Sequence, residues 1–95
     1  MANRVNGKGN YFARTHASGG AATNRAVFAN ESPAITGKHF DYIWVRPDAD
    51  CTLRVGASSK DAIALTADEA REFILKFDEI YLTCGGATNL EFVVW

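Results

Sequence analysis

Apolar and polar positions alternate with a period of two through most of the second half of the chain. Phe73, Leu75 and Phe77 share one parity, while Ile74, Lys76 and Asp78 hold the other. In the same way Ile80, Leu82 and Cys84 alternate with Tyr81, Thr83 and Gly85, and Leu90, Phe92 and Val94 alternate with Glu91, Val93 and Trp95. A pleated strand sends successive side chains to opposite faces, so each run offers one face to a core and leaves the other mixed. Gly85-Gly86 closes the second run. The segment therefore reads as strand, strand, turn, strand.

Upstream, Phe40-Asp41-Tyr42-Ile43-Trp44-Val45-Arg46 is aromatic and β-branched, and Pro47-Asp48-Ala49-Asp50 ends it with residues that favour turns. Cys51 to Val55 alternates cleanly, Gly56 to Asp61 is turn-like, and Ala62 to Leu65 forms a further short strand. Thr66 to Glu72 supports two readings. Thr66 and Glu69 have capping-box spacing, and Ala70, Phe73, Ile74 and Phe77 sit at helical spacing with Glu72 four residues before Lys76, which predicts a helix over 67–77. That helix would have to stop at Asp78 and be followed at once by a strand, and Phe73-Ile74-Leu75 is bulky for a short surface helix. A tight bend at 67–70 followed by a strand from Arg71 to Phe77 is the preferred alternative. About six short strands, separated by turn signals roughly every 8 to 12 residues, predict an all-β fold. The expected form is a small antiparallel β-sandwich or a jelly-roll-like barrel.

Met1 to about Thr36 has a different texture. Asn6-Gly7-Lys8-Gly9-Asn10, Ser18-Gly19-Gly20 and Asn30-Glu31-Ser32-Pro33 are small and polar, and only Tyr11-Phe12-Ala13 and Ala26-Val27-Phe28-Ala29 interrupt them. Ordering a backbone costs about 1–2 kcal/mol per residue, which so little apolar content cannot offset alone. Residues 1–36 are predicted to be an extended arm and loops, with the β-sandwich domain spanning 37–95. The arm would be held by the domain's own sheet edge or by a neighbouring subunit.

The 95 residues suit one domain, with 47% hydrophobic and 22% charged residues, a composition of folded chains. A net charge of -1 with scattered Lys and Arg leaves no electrostatic footprint for nucleic acid or an anionic membrane. No apolar run approaches the roughly 20 residues of a membrane span, and the N-terminus lacks the apolar core of a secretion signal, so use without export is expected.

Candidate chemistry is sparse. Cys51 and Cys84 fall on inward parities, which suits buried small hydrophobes and leaves a strand-joining disulfide as the alternative. His16 and His39 stand apart from the cysteines in polar contexts, against a zinc site, and read as surface histidines. Asp41, Asp48 and Asp50 lack the following acidic residue of a closed calcium loop and read as turn residues. The glycine-rich stretch at 6–10 has neither the strand nor the helix that flank a phosphate loop. No catalytic constellation and no cofactor site is predicted.

Ile63-Ala64-Leu65-Thr66-Ala67-Asp68-Glu69-Ala70-Arg71-Glu72-Phe73-Ile74-Leu75, then Asp78-Glu79-Ile80-Tyr81-Leu82 and Gly85 to Trp95, resembles the C-terminal half of small bacteriophage virion proteins: capsid-decorating, neck and tail or fibre-base modules. Asp68-Glu69 stands where those proteins usually carry Gly-Glu. The resemblance implies a non-enzymatic virion subunit, assembled in the host cytoplasm as a symmetric homo-oligomer, with other virion proteins as partners. The expected contacts are Tyr11, Phe12, Arg14, Arg25, Val27 and Phe28 of the arm, together with Tyr42, Trp44 and Trp95 of the sheet. A carbohydrate-binding, lectin-like module with Trp44 and Tyr81 stacking on sugar is the alternative, and an enzyme ranks third.

Overall fold

The computed structural model describes residues 11–95, which form eight strands and one short 3-10 turn. The strands are β1 (Phe12–Ala17), β2 (Ala22–Ala26), β3 (Phe40–Pro47), β4 (Cys51–Val55), β5 (Ile63–Leu65), β6 (Arg71–Phe77), β7 (Ile80–Cys84) and β8 (Asn89–Val94). They build two antiparallel four-stranded sheets, ordered β1-β8-β3-β6 and β2-β7-β4-β5. One rule generates the pairing. β1 meets β8, β2 meets β7, β3 meets β6 and β4 meets β5, as in one long hairpin folded on itself. The β3–β8 and β4–β7 pairs then complete the two sheets. This is the topology of a jelly roll, in which two sheets share one core.

The period-two pattern fills that core as the sequence predicts. Ile43, Val45, Leu53, Val55, Ile80, Leu82, Leu90, Phe92 and Val94 are all buried between the sheets. One parity expectation fails at Leu75, which is 39% exposed although Phe77 is buried. The step from Phe40 to Tyr42 on β3 faces the longer step from Phe77 to Ile74 on β6, so the register slips at Leu75 and Lys76. β6 is also an edge strand, so nothing in its own sheet covers the Leu75 side.

The ambiguous stretch at 66–70 is a turn, and β6 follows it as a strand. The Glu69 N–H donates to the Thr66 carbonyl at 3.1 Å, and Asp68, with a φ of 63°, donates its N–H to the Pro47 carbonyl at 2.7 Å. Asp50 Oδ1 accepts the Ala67 N–H at 2.8 Å. These contacts hold the bend tightly, and the capping-box residues close a turn in place of a helix.

The largest departure lies in the predicted arm. Its first ten residues fall outside the described residues, but from Phe12 onward the chain supplies β1, β2 and the 3-10 turn Phe28–Asn30. β1 forms one edge of the first sheet against β8, and β2 forms one edge of the second against β7. Ordering of this polar segment is therefore offset by backbone pairing with the last two strands, a source of stabilisation that composition does not reveal. The sandwich has eight strands where about six were expected because β1 and β2 belong to it.

Candidate protein-interaction face

The outer face of the first sheet is built by the side chains that alternate with the core. On β3, Tyr42 and Trp44 flank buried Ile43 and point outward; on β8, Val93 does the same between Phe92 and Val94. Register sets these residues side by side. Trp44 lies between Val93 and Glu72, Ala13 lies beyond Val93, and Tyr42 lies beside Ile74. Ile74 is 80% exposed, the most exposed large apolar side chain among the described residues.

A β-bulge fixes the end of this face. The N–H groups of Asp41 and Tyr42 both donate to the Trp95 carbonyl, at 2.7 and 3.0 Å, and the Trp95 N–H donates back to the Tyr42 carbonyl at 3.2 Å. Two residues of β3 thus oppose one, which bends the strand and turns its side chains. Tyr42 and Trp95 stack with ring centroids 3.9 Å apart and planes 24° apart. A pair of this kind contributes about 0.5–1.5 kcal/mol beyond the area it buries. The Tyr42 hydroxyl donates to Glu72 Oε2, which ties the stack to β6. Beyond Trp44 the surface turns ionic, with Arg46 Nη1 3.0 Å from Glu91 Oε1.

The outer face of the second sheet is chemically different. Thr52 pairs with Thr83 and Arg54 with Tyr81. Arg54 Nη1 donates to Asn24 Oδ1 at 2.9 Å, and the Asn24 N–H donates to Thr83 Oγ1 at 3.0 Å. Asn24 has a φ of 50° at the irregularity in the β2–β7 register, a conformation that asparagine tolerates. One broad face is aromatic and the other is a polar network. Trp44 and Tyr81 lie on opposite outer faces, so the two cannot grip one sugar together.

Of the nine contact residues expected from sequence, Tyr42, Trp44 and Trp95 converge on the first face. Val27 and Phe28 do not belong to a surface at all: both are fully buried, with Phe28 ring centroids 5.5 Å from those of Phe40 and Phe92. The Val27 N–H donates to the Ile80 carbonyl at 3.0 Å and the Phe28 N–H to Glu79 Oε1 at 2.8 Å, which draws the segment into the core. Phe12 packs edge on against Phe40, with centroids 5.9 Å apart. Arg14 lies over the Phe12 ring and donates to the Pro33 carbonyl at 2.6 Å. Tyr11, half exposed, precedes β1.

Arg25 and His16 form a polar chain that the sequence concealed. His16 was expected at the surface, but it is only 2% exposed. Its Nδ1 lies 2.6 Å from Glu31 Oε2, and its Nε2 accepts from Arg25 Nε at 2.9 Å. Arginine has no acceptor, so the ring proton sits on Nδ1 and is donated to Glu31. The chain joins β1 to β2 and so fastens one edge of each sheet to the other. His39 is exposed, as expected.

The aspartates serve turns. Asp48 accepts the Asn89 N–H at 2.8 Å and the Asn89 side-chain amide at 2.9 Å, and these bonds hold its carboxyl below the usual value of 3.8. Cys51 and Cys84 are both free and buried. They face each other one step beyond the Thr52–Thr83 pair of β4 and β7. Burial, with a smaller contribution from Cys84, raises the Cys51 pKa to about 11, so it is a thiol near neutral pH. Among the described residues no three His, Cys, Asp or Glu side chains gather as metal ligands would. A cleft of about 510 Å³ at the Phe40 end is lined by His39, Asp41, Lys60, Lys76 and Asp78.

No protein family, curated protein or solved structure matches this chain.

Proposed function

We propose that this chain is a non-enzymatic structural subunit of a bacteriophage virion, a decoration, neck or tail component that binds neighbouring virion proteins. The observation that carries the reading is the aromatic outer face of the first sheet, where Trp44, the Tyr42–Trp95 stack and Ile74 stand together. Aromatic residues in a cluster rimmed by charge are the composition of protein-contact hot spots. The jelly roll is a fold of capsid proteins and of lectins alike, so fold supports the reading by analogy only. The sequence resemblance of residues 63–95 to phage virion modules favours the capsid side of that choice.

The test is to purify phage particles from a host that carries the gene and measure the chain's copy number in them. A fixed, symmetry-compatible copy number that falls sharply with Trp44→Ala, and holds with Tyr81→Ala on the opposite sheet, is the expected result. Absence from the particles overturns the reading, and glycan binding by the isolated chain that is lost with Trp44→Ala would establish the lectin alternative.

A further inference from the structure

β6 is the far edge of the first sheet, and it carries two of the three large apolar side chains that stand exposed among the described residues, Ile74 and Leu75. The other edges are less open. β5 has only three residues, while β1 and β2 turn Arg14, His16 and Arg25 into contacts within the chain. An unpaired edge of seven residues presents a row of free backbone donors and acceptors, a template for another strand.

The side chains of this edge specify which strand. By alternation Glu72, Ile74 and Lys76 share one parity and Phe73 and Leu75 the other, with Leu75 partly exposed at the open edge where the register with β3 slips. When Arg71-Glu72-Phe73-Ile74-Leu75-Lys76-Phe77 is laid antiparallel on itself and centred on Ile74, Glu72 faces Lys76, Phe73 faces Leu75, and Ile74 faces its own copy. Both outer charges of the central five residues then meet their opposites and their apolar side chains meet one another, the pairs that stabilise neighbouring strands, while at the ends Arg71 faces the buried Phe77. A shift of two residues sets a charge against Ile74, and a shift of four sets Glu72 against Glu72 or Lys76 against Lys76. Both charges can make the contact. The bond from Tyr42 occupies one oxygen of the Glu72 carboxylate, and Lys76, with its side chain 94% exposed, lies 3.9 Å from Asp41.

We infer that β6 pairs antiparallel with β6 of a second copy about a two-fold axis at Ile74, joining two first sheets into one continuous eight-stranded sheet. The inference goes beyond the virion reading and does not rest on it. Its occupant is a second copy because the charge pattern of the edge is complementary to itself, and such an isologous contact closes as a dimer.

Sedimentation equilibrium of the purified full chain tests it. The expected wild-type result is a concentration-dependent monomer–dimer equilibrium. Lys76→Glu sets two pairs of like charges across the axis and raises the dimer Kd about tenfold, or about 1.4 kcal/mol. Glu72→Lys does the same from the other side. An equimolar mixture of the two variants forms a heterodimer of near wild-type affinity, because each introduced charge then meets its opposite, and this rescue also shows that both variants are folded. Ile74→Cys cross-links to itself under mild oxidation. A chain that stays monomeric, a dimer indifferent to Lys76→Glu, or a dimer abolished by Trp44→Ala overturns the inference; the last would mean that the copies meet through their aromatic faces.

Discussion

The ring of Phe28 meets the ring of Phe40 edge on, with centroids 5.5 Å apart and planes inclined at 74°. The contact joins the polar first third of the chain to the aromatic strand at its middle. Phe28 also lies 6.3 Å from Phe77 and 5.5 Å from Phe92, so it stands at the centre of an aromatic cluster drawn from β3, β6 and β8.

Truncating this side chain is therefore expected to be severe. Phe28→Ala removes about 3–5 kcal/mol from a small domain whose total stability is on the order of 5–15 kcal/mol. Phe28→Leu, which keeps most of the volume, is expected to lose considerably less. Urea denaturation followed by tryptophan fluorescence measures both. Deleting residues 1–30 removes β1, β2, Val27 and Phe28 together and is expected to leave an unfolded chain with a featureless near-UV circular dichroism spectrum. A folded deletion product would mean that β3 to β8 suffice.

The His16–Glu31 bond gives a second prediction. Replacing Glu31 with Ala leaves a buried imidazole N–H without its acceptor, for which about 1–3 kcal/mol of destabilisation is expected. Glu31→Gln retains an oxygen that can accept and is expected to lose less. A double-mutant cycle with His16→Ala isolates the pair, and additivity of the two single changes would show that the bond contributes nothing of its own.

Acid sensitivity follows from Asp48. Its carboxyl titrates below the ordinary value of 3.8 because the Asn89 N–H and amide favour the charged form. A depressed folded pKa adds stability that is present above the unfolded value and is lost as pH falls through the folded one. Thermal melting from pH 5 down to pH 2 is expected to show a loss of stability below about 3.8 that is smaller in Asp48→Asn. Parallel curves for the two proteins would dismiss the linkage.

The legible part of the fold was the part whose information is local. Alternation placed Leu53, Leu82, Leu90 and Phe92 in the core, because successive residues of a strand face opposite sides, while the run Phe40 to Arg46 read as a strand from its aromatic and β-branched content alone. β1 and β2 were not legible. Their stabilising partners are β8 and β7, more than 50 residues away, and a short run such as Phe-Ala-Arg-Thr-His-Ala carries no mark of a distant backbone. His16 was misread for the same reason, since Arg25 and Glu31 stand 9 and 15 residues from it. Ile74 was visible as an outward residue on the parity of Lys76. Its position on an open edge follows from strand order, which alternation does not encode.

The inward-nested pairing of strands also constrains how the molecule is made. During synthesis β1 waits for β8, and β2 waits for β7, while among the described strands only the central β4–β5 hairpin finds its partner early. Closing the widest loops comes at the end, the arrangement that slows β proteins and leaves nascent edges open longest. A ribosome that stops a few codons short of Asn89 releases a chain in which β1 has no partner and β3 is paired on one side alone. Synthesis of β8 is thus the step that commits these strands to their shape.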